Sequence, residues 1–174
     1  LLFKNLRDSR SRLTRSKGRS RWPYLAGDLD QTFLVAWEDD RDGTPRVYLA
    51  RKSLNDARFN NEVKISGTGE AFEPSLIALD DHRFALAWEE DAQVHLRLAT
   101  PSGLGPVLAL AKVESAQASL AILNQQLLLV YSQRESRFGR IHLQSIAIDG
   151  QSLRLKNNCP VDAEPAKDEQ LYPT

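Results

Sequence analysis

The densest set of reactive side chains in this sequence is the run Asp39-Asp40-Arg41-Asp42-Gly43. Three carboxylates in so short a stretch supply the hard oxygen donors that a cation such as calcium takes. The run lacks the full EF-hand spacing, so a solvated acidic turn is the plainer reading. No cofactor is therefore expected, and calcium is the alternative. Glu89-Glu90-Asp91 and Ser132-Gln133-Arg134-Glu135-Ser136-Arg137 form two further polar runs. Paired carboxylates could serve glycoside hydrolysis, but that chemistry needs a defined separation in space, which chain spacing alone does not supply. The candidate ligand-binding residues are thus Asp39, Asp40, Arg41, Asp42, Glu89, Glu90, Arg134 and Arg137, with no catalytic residue assigned.

Other chemistries lack their motifs. There is no Gly-x-Ser-x-Gly elbow and no Gly-rich phosphate loop. His82 falls in an expected turn, while His95 and His142 occupy one position of a repeated strand, without partners at ligand spacing, so no metal site is expected. Cys159 is the sole cysteine. It has no internal partner for a disulfide and reads as an inert thiol. Trp37, Trp88 and Tyr131 could be imagined as sugar-stacking platforms, but their places at the ends of apolar strands make them core residues. Trp22 is freer to be exposed.

The elements that position these groups come from a repeat. Pro23-Tyr24-Leu25 leads to Phe33-Leu34-Val35-Ala36-Trp37, Pro74-Ser75-Leu76 to Phe84-Ala85-Leu86-Ala87-Trp88, and Ala118-Ser119-Leu120 to Leu127-Leu128-Leu129-Val130-Tyr131. The leading residue and the aromatic lie 14 apart in the first two units and 13 in the third, and successive aromatics are 51 and 43 apart. That period suits a four-stranded blade. Large residues alternate with smaller apolar ones, so both faces of the second strand are apolar and must be sandwiched. Third strands are expected at 47–51, 94–98 and 141–146, and fourth strands at 62–66, 107–113 and 152–156. The fold class is all-β: β-propeller-type four-stranded antiparallel blades, three of them, at 22–70, 71–115 and 116–156. Residues 157–174, with three prolines, read as an irregular tail.

Charge divides the chain differently. Residues 1–21 hold eight Lys or Arg against Asp8 alone, leaving 15 basic and 22 acidic residues in 22–174. A disordered basic arm thus precedes an acidic body. It reads as a linker, as a tether to an anionic polymer or membrane, or as a segment lying on its own body. No apolar stretch reaches the ~18 residues that span a bilayer, and no signal peptide is visible. With no methionine and Leu1 at its head, the sequence is expected to have lost its natural start.

Trp37-Glu38-Asp39-Asp40-Arg41-Asp42-Gly43, followed by Val47 to Arg51, resembles the strand-turn-strand signature of exported bacterial propellers of the sialidase-like superfamily. Ser53 to Phe59 is similar to a degraded Asp-box turn, with Asn55 and Asp56 near its acidic position and Ala57 where glycine is usual. The resemblance covers about residues 22–156. It implies the fold and an extracytoplasmic location, and it places a ligand site on the end that bears the turns between second and third strands. The arginine triad and Tyr–Glu pair of the superfamily's enzymes have no evident counterparts here. The expected function is a non-catalytic module that recognises a protein or glycan through those loops. A fragment of a sialidase-like hydrolase is the second reading, and a body tethered by its basic arm the third. Three blades are too few to close a ring. A longer parent chain, self-association with a second copy, or a sandwich packing must cover the open faces.

Overall fold

The computed structural model describes residues 13–14, 16–60, 62–80, 82–110, 114–135 and 138–161. Among them there is no helix, and thirteen strands form three antiparallel sheets. Sheet 1 orders β1 (Ser20–Gly27), β2 (Thr32–Asp39), β3 (Arg46–Ser53) and β4 (Val63–Lys64) side by side. Sheet 2 orders β5 (Ala71–Asp80), β6 (Arg83–Glu90) and β7 (Gln93–Thr100), and its outer edge is shared by two short strands, β8 (Gly103–Leu104) and β9 (Leu108–Ala109). Sheet 3 orders β10 (Ser115–Leu123), β11 (Gln126–Glu135), β12 (Phe138–Asp149) and β13 (Ser152–Pro160).

The second and third strands stand where period-two alternation put them; the edges differ. The fourth strand of sheet 1 shrinks to two residues, prolonged by a bond from Ile65 N to Val47 O at 2.9 Å. In sheet 2 the chain touches the edge of β7 twice. In sheet 3 the fourth strand runs to Pro160, four residues into the stretch expected to be irregular. An edge position tolerates that proline, because its missing N–H faces no neighbouring strand. At the other end β1 reaches back to Ser20, inside the basic stretch.

Two seams hold the stack together. In the first, Phe84, Leu86 and Trp88 of sheet 2 pack on Leu34, Ala36, Val47 and Leu49 of sheet 1. In the second, Leu127, Leu129 and Tyr131 of sheet 3 pack on Ala85, Ala87, Val94 and Leu96. Each seam also receives one aliphatic residue from the link between sheets, Ile65 in the first and Leu110 in the second. The outer side of sheet 1 carries a smaller cluster, Val35, Trp37, Tyr48 and Ala50, with Leu13 and Phe59 packed on it.

The two-sided strand β6 is the element most dependent on both seams. Trp88→Ala leaves a cavity at a fully buried site. It is expected to cost about 3–5 kcal/mol in a urea unfolding titration, whereas the same change at exposed Trp22 should cost under about 0.5 kcal/mol.

Candidate functional site

In each sheet the aromatic near the end of the second strand lies over its cross-strand partner on the third: Trp37 over Tyr48, Trp88 over His95, and Tyr131 over His142. Two residues further on stands a polar side chain on the same face. Glu90 accepts bonds from Trp88 Nε1 at 3.0 Å, Gly67 N at 3.0 Å and Gly69 N at 3.1 Å, so it clamps the incoming link to its own strand. A Cβ on Gly67 would lie 2.7 Å from Glu90 Oε1, so a larger residue here would push the Glu90 carboxylate aside. Asp39 does the same work in sheet 1, accepting from Ser16 Oγ at 2.9 Å, Ser20 Oγ at 2.8 Å and the Arg41 guanidinium at 2.9 and 3.0 Å. Gln133 is the third counterpart, reached by the Tyr131 hydroxyl at 3.5 Å.

Burial by itself would raise both acids. For Asp39 the bonds from Arg41, Ser20 and Ser16 outweigh it and hold the carboxyl well below the usual carboxylate range. For Glu90 the bonds from Gly67, Trp88 and Gly69 do likewise, more mildly.

A second set of groups comes from the first strands. Each contains a β-bulge opposite the aromatic of the second strand: between Arg21 and Tyr24, between Phe72 and Ser75, and between Ala116 and Ser119. The first bulged residue has positive φ in all three, Trp22 at 49°, Glu73 at 47° and Gln117 at 57°. Such a backbone is strained for residues with a Cβ, and bulges of this kind re-aim side chains. Just before each bulge the register pairs Arg21 with Glu38, Phe72 with Glu89 and Ala116 with Ser132. Arg21 Nη2 lies 2.7 Å from Glu38 Oε1, and Ser132 Oγ lies 3.3 Å from Gln117 Oε1.

Glu73 couples the first two sheets. Burial raises the Glu38 carboxyl above its ordinary value despite Arg21, and the charge of Glu73 adds to the rise. Burial also raises Glu89, again with Glu73 adding to it. One end of the stack therefore gathers an exposed Trp22, three carboxyls, an amide and an arginine. Beside Glu89, between sheets 2 and 3, opens a cleft of about 250 Å³ lined also by Glu114, Ser115, Ser132, Gln133 and Arg134.

The sequence matches no family model and no curated protein. The fold does have solved likenesses. An endo-1,4-β-xylanase from Bacteroides thetaiotaomicron superposes with a TM-score of 0.53 at 15% identity, over 87% of this chain and 62% of that one. A variant of the NanB sialidase from Streptococcus pneumoniae superposes with a TM-score of 0.53 at 12% identity, over 80% of this chain and 24% of that one. The sheets are blade-type sheets. The chain spans less than two thirds of either structure.

The loops expected to share one end do so. Backbone bonds tie each second-to-third-strand turn to the link before the sheet: Asp40 N to Arg19 O at 3.3 Å, Asp91 N to Glu70 O at 3.1 Å, and Arg134 N to Glu114 O at 2.8 Å. The residues singled out in the sequence are divided between two tasks. Asp39, Asp40, Arg41, Asp42 and Glu90 bind the chain to itself. Asp40 accepts from Arg19 N at 2.6 Å, Asp42 from the Tyr48 hydroxyl at 3.0 Å, and Arg41 lies 4.0 Å over the Tyr48 ring while pairing with Asp39 and Glu62. Among the described residues no three His, Cys, Asp or Glu side chains gather as a metal site. Glu89 and Arg134 line the cleft, and Arg134 pairs with Glu114 at 3.2 Å. Arg137 lies outside the described residues. Spacing in the sequence did not single out Trp22, Glu38, Glu73 and Gln117 as a group. The signal available was the alignment of Trp22-Pro23 with Glu73-Pro74 and Gln117-Ala118 at the head of the repeat.

The two kinds of acid have opposite pH signatures. Asp39 is depressed on folding, so its contribution is complete at neutral pH and is lost as pH falls below the unfolded value of 3.8. Asp39→Asn should lower stability at pH 7 and flatten the acid limb of a melting-temperature profile. Glu89 is raised on folding, so it favours the folded state at low pH and loses that effect as pH climbs above the ordinary 4.5. Glu89→Gln should therefore raise the melting temperature at pH 7 and give little change at pH 4, both read by calorimetry.

Proposed function

We propose that the chain recognises a carbohydrate at the end of the sheet stack where the three bulges lie. The observation that carries this reading is the bulge itself, repeated opposite each core aromatic and turning Trp22, Glu73 and Gln117 to equivalent places on neighbouring first strands. A sugar presents an apolar ring face and a rim of hydroxyls. An exposed indole offers a stacking platform for the first, and carboxyl and amide groups offer paired hydrogen bonds to the second. Trp22 is 64% exposed although it sits within a strand. The cleft beside Glu89 extends the same surface with serines and a glutamine. That the fold likenesses include a xylanase and a sialidase supports carbohydrate as the ligand class. An extracytoplasmic setting, where polysaccharides are met, belongs to the same proposal.

Hydrolysis is a second reading, favoured by one observation. Glu89 is held toward its protonated form by burial, next to the charge of Glu73. A carboxyl shifted upward by burial, with a second carboxyl near it, is the kind of pair that acid and base catalysis of glycoside cleavage draws on. Among the described residues, Arg21, Arg41 and Arg134 are each already paired with a carboxylate, which favours a neutral sugar over an acidic one.

One titration series tests both readings. Xylo-oligosaccharides and sialyllactose are added to the intact protein, with binding followed by calorimetry and bond cleavage by release of reducing sugar. The first reading expects binding of the neutral oligosaccharide, weakened about tenfold or more by Trp22→Ala with the melting temperature unchanged. The second expects reducing-sugar release that Glu89→Gln abolishes. Absence of binding to either sugar, or binding indifferent to Trp22→Ala, would overturn the proposed site.

A further inference from the structure

Each inner seam receives an aliphatic residue from the chain that leaves the preceding sheet. Ile65 N donates to Val47 O at 2.9 Å, and the Ile65 side chain enters the seam between sheets 1 and 2. Leu110 N donates to Val94 O at 2.9 Å, and Leu110 enters the seam between sheets 2 and 3. The same step is taken a third time. Val161 N donates to Ile141 O at 2.9 Å, and Ile141 pairs with Ser132 as Val47 pairs with Glu38 and Val94 with Glu89, each the residue after the core aromatic. Ile65 and Leu110 are 1% and 4% exposed, whereas Val161 is 59% exposed. Among the described residues no sheet lies over it.

The face beside Val161 is equally prepared. Leu128 and Val130 lie on the outer side of β11, and Val130 pairs with Leu143 of β12 as Ala87 pairs with Leu96 in sheet 2. Ala87 and Leu96 are wholly buried under sheet 3. Leu128, Val130 and Leu143 are partly exposed and belong to none of the three apolar clusters of the described residues. A second folded copy has no matching side to offer them. Phe84 to Trp88 and Leu127 to Tyr131 are spent in the seams, and Val35 and Trp37 are already covered.

The sequence past the described residues names the occupant. Glu169-Gln170-Leu171-Tyr172-Pro173-Thr174 repeats Glu70-Ala71-Phe72-Glu73-Pro74-Ser75, the segment that opens sheet 2, with glutamate and proline identical and Leu for Phe and Thr for Ser. Pro173 follows Tyr172 as Pro23 follows Trp22. The link is also long enough, since Val161 and Pro173 are 12 residues apart, against 9 from Ile65 to Pro74 and 8 from Leu110 to Ala118. We propose that the outer face of sheet 3 is the docking surface of a fourth blade-type sheet of the same polypeptide, which residues 169–174 open. Tyr172 takes in it the place of Trp22, Glu73 and Gln117 in the other three. An apolar strand end with a large aromatic then covers Leu128, Val130 and Leu143, and Val161 fills the seam as Ile65 and Leu110 fill theirs.

A stand-in sheet tests this. A copy of residues 76–110 is fused after Thr174, so that Thr174 takes the place of Ser75. The fused protein should be a monomer by light scattering and melt above the 174-residue chain. Cys159 is exposed and pairs in register with Leu143, so it reports on the covered face. Its reaction with a maleimide should slow at least tenfold on fusion. Leu143→Lys should leave the melting temperature of the unfused chain nearly unchanged and lower that of the fused protein by about 5 °C or more. A second measurement needs no fusion: anilinonaphthalene sulfonate should fluoresce on the 174-residue chain, and Leu143→Lys should remove most of that signal. Absent fluorescence, or fluorescence indifferent to Leu143→Lys, overturns the proposal. So does Cys159 labelling that stays fast in a fused protein whose circular dichroism shows the added strands. A 174-residue chain that forms a dimer split by Leu143→Lys also overturns it, because a second copy would then be the occupant.

Discussion

A strand that is apolar on both faces is stable in water only when a layer covers each of them, and β6 is such a strand. Phe84, Leu86 and Trp88 fill one seam while Ala85 and Ala87 line the other. Burial of this kind is the dominant favourable term in folding, so the stacking of sheets decides which residues are core and which are site. Large side chains on one face and small ones on the other let neighbouring sheets interdigitate at interior density. Edge strands contribute less, and two of the fourth strands have shrunk to fragments of two residues without disturbing the stack.

The polar architecture follows from those seams. An aromatic buried at the end of a strand brings its polar atom with it, and the N–H of Trp88 needs an acceptor. Glu90 supplies one and at the same time takes two backbone donors from the link that the preceding sheet sends in. Asp39 answers the same need with two serine hydroxyls and Arg41. This explains why acidic turn residues that look available for a cation are occupied by the protein's own donors. It also explains how part of the basic stretch before residue 22 is held: Ser16 and Ser20 bond to Asp39, Arg19 N to Asp40, and Arg21 to Glu38.

The bulges set the remaining geometry. Inserting one residue opposite Trp37, Trp88 and Tyr131 changes the phase of each first strand, so a side chain that simple alternation would place otherwise is turned at the bulge. Glu73 thereby comes within electrostatic reach of Glu38 and Glu89, which belong to different sheets. The likeness to a xylanase and a sialidase is a likeness of this scaffold. Blade-type sheets host many chemistries, and what distinguishes them is which groups the ends of the strands present.

Local order was legible because it is written in near neighbours. The alternation in Phe33 to Trp37 and its two counterparts specifies strands, and their spacing specifies three similar sheets. The recurrence of Pro23, Pro74 and Ala118 at like distances before the three aromatics marks a first strand in each unit, and antiparallel order then fixes which turns share an end. What the sequence could not supply was proximity between sheets. Glu38 and Glu73 are 35 residues apart in the numbering and look unremarkable in their own segments. They interact only because the seam stacks β5 beside β2 and the bulge redirects Glu73. In the same way Asp39 and Glu90 look like solvated loop acids until burial of the neighbouring aromatic turns them into structural acceptors. Period-two alternation is a property of one strand, whereas a charge pair, a cleft or an open face is a property of how whole sheets meet, and only the tertiary structure decides that.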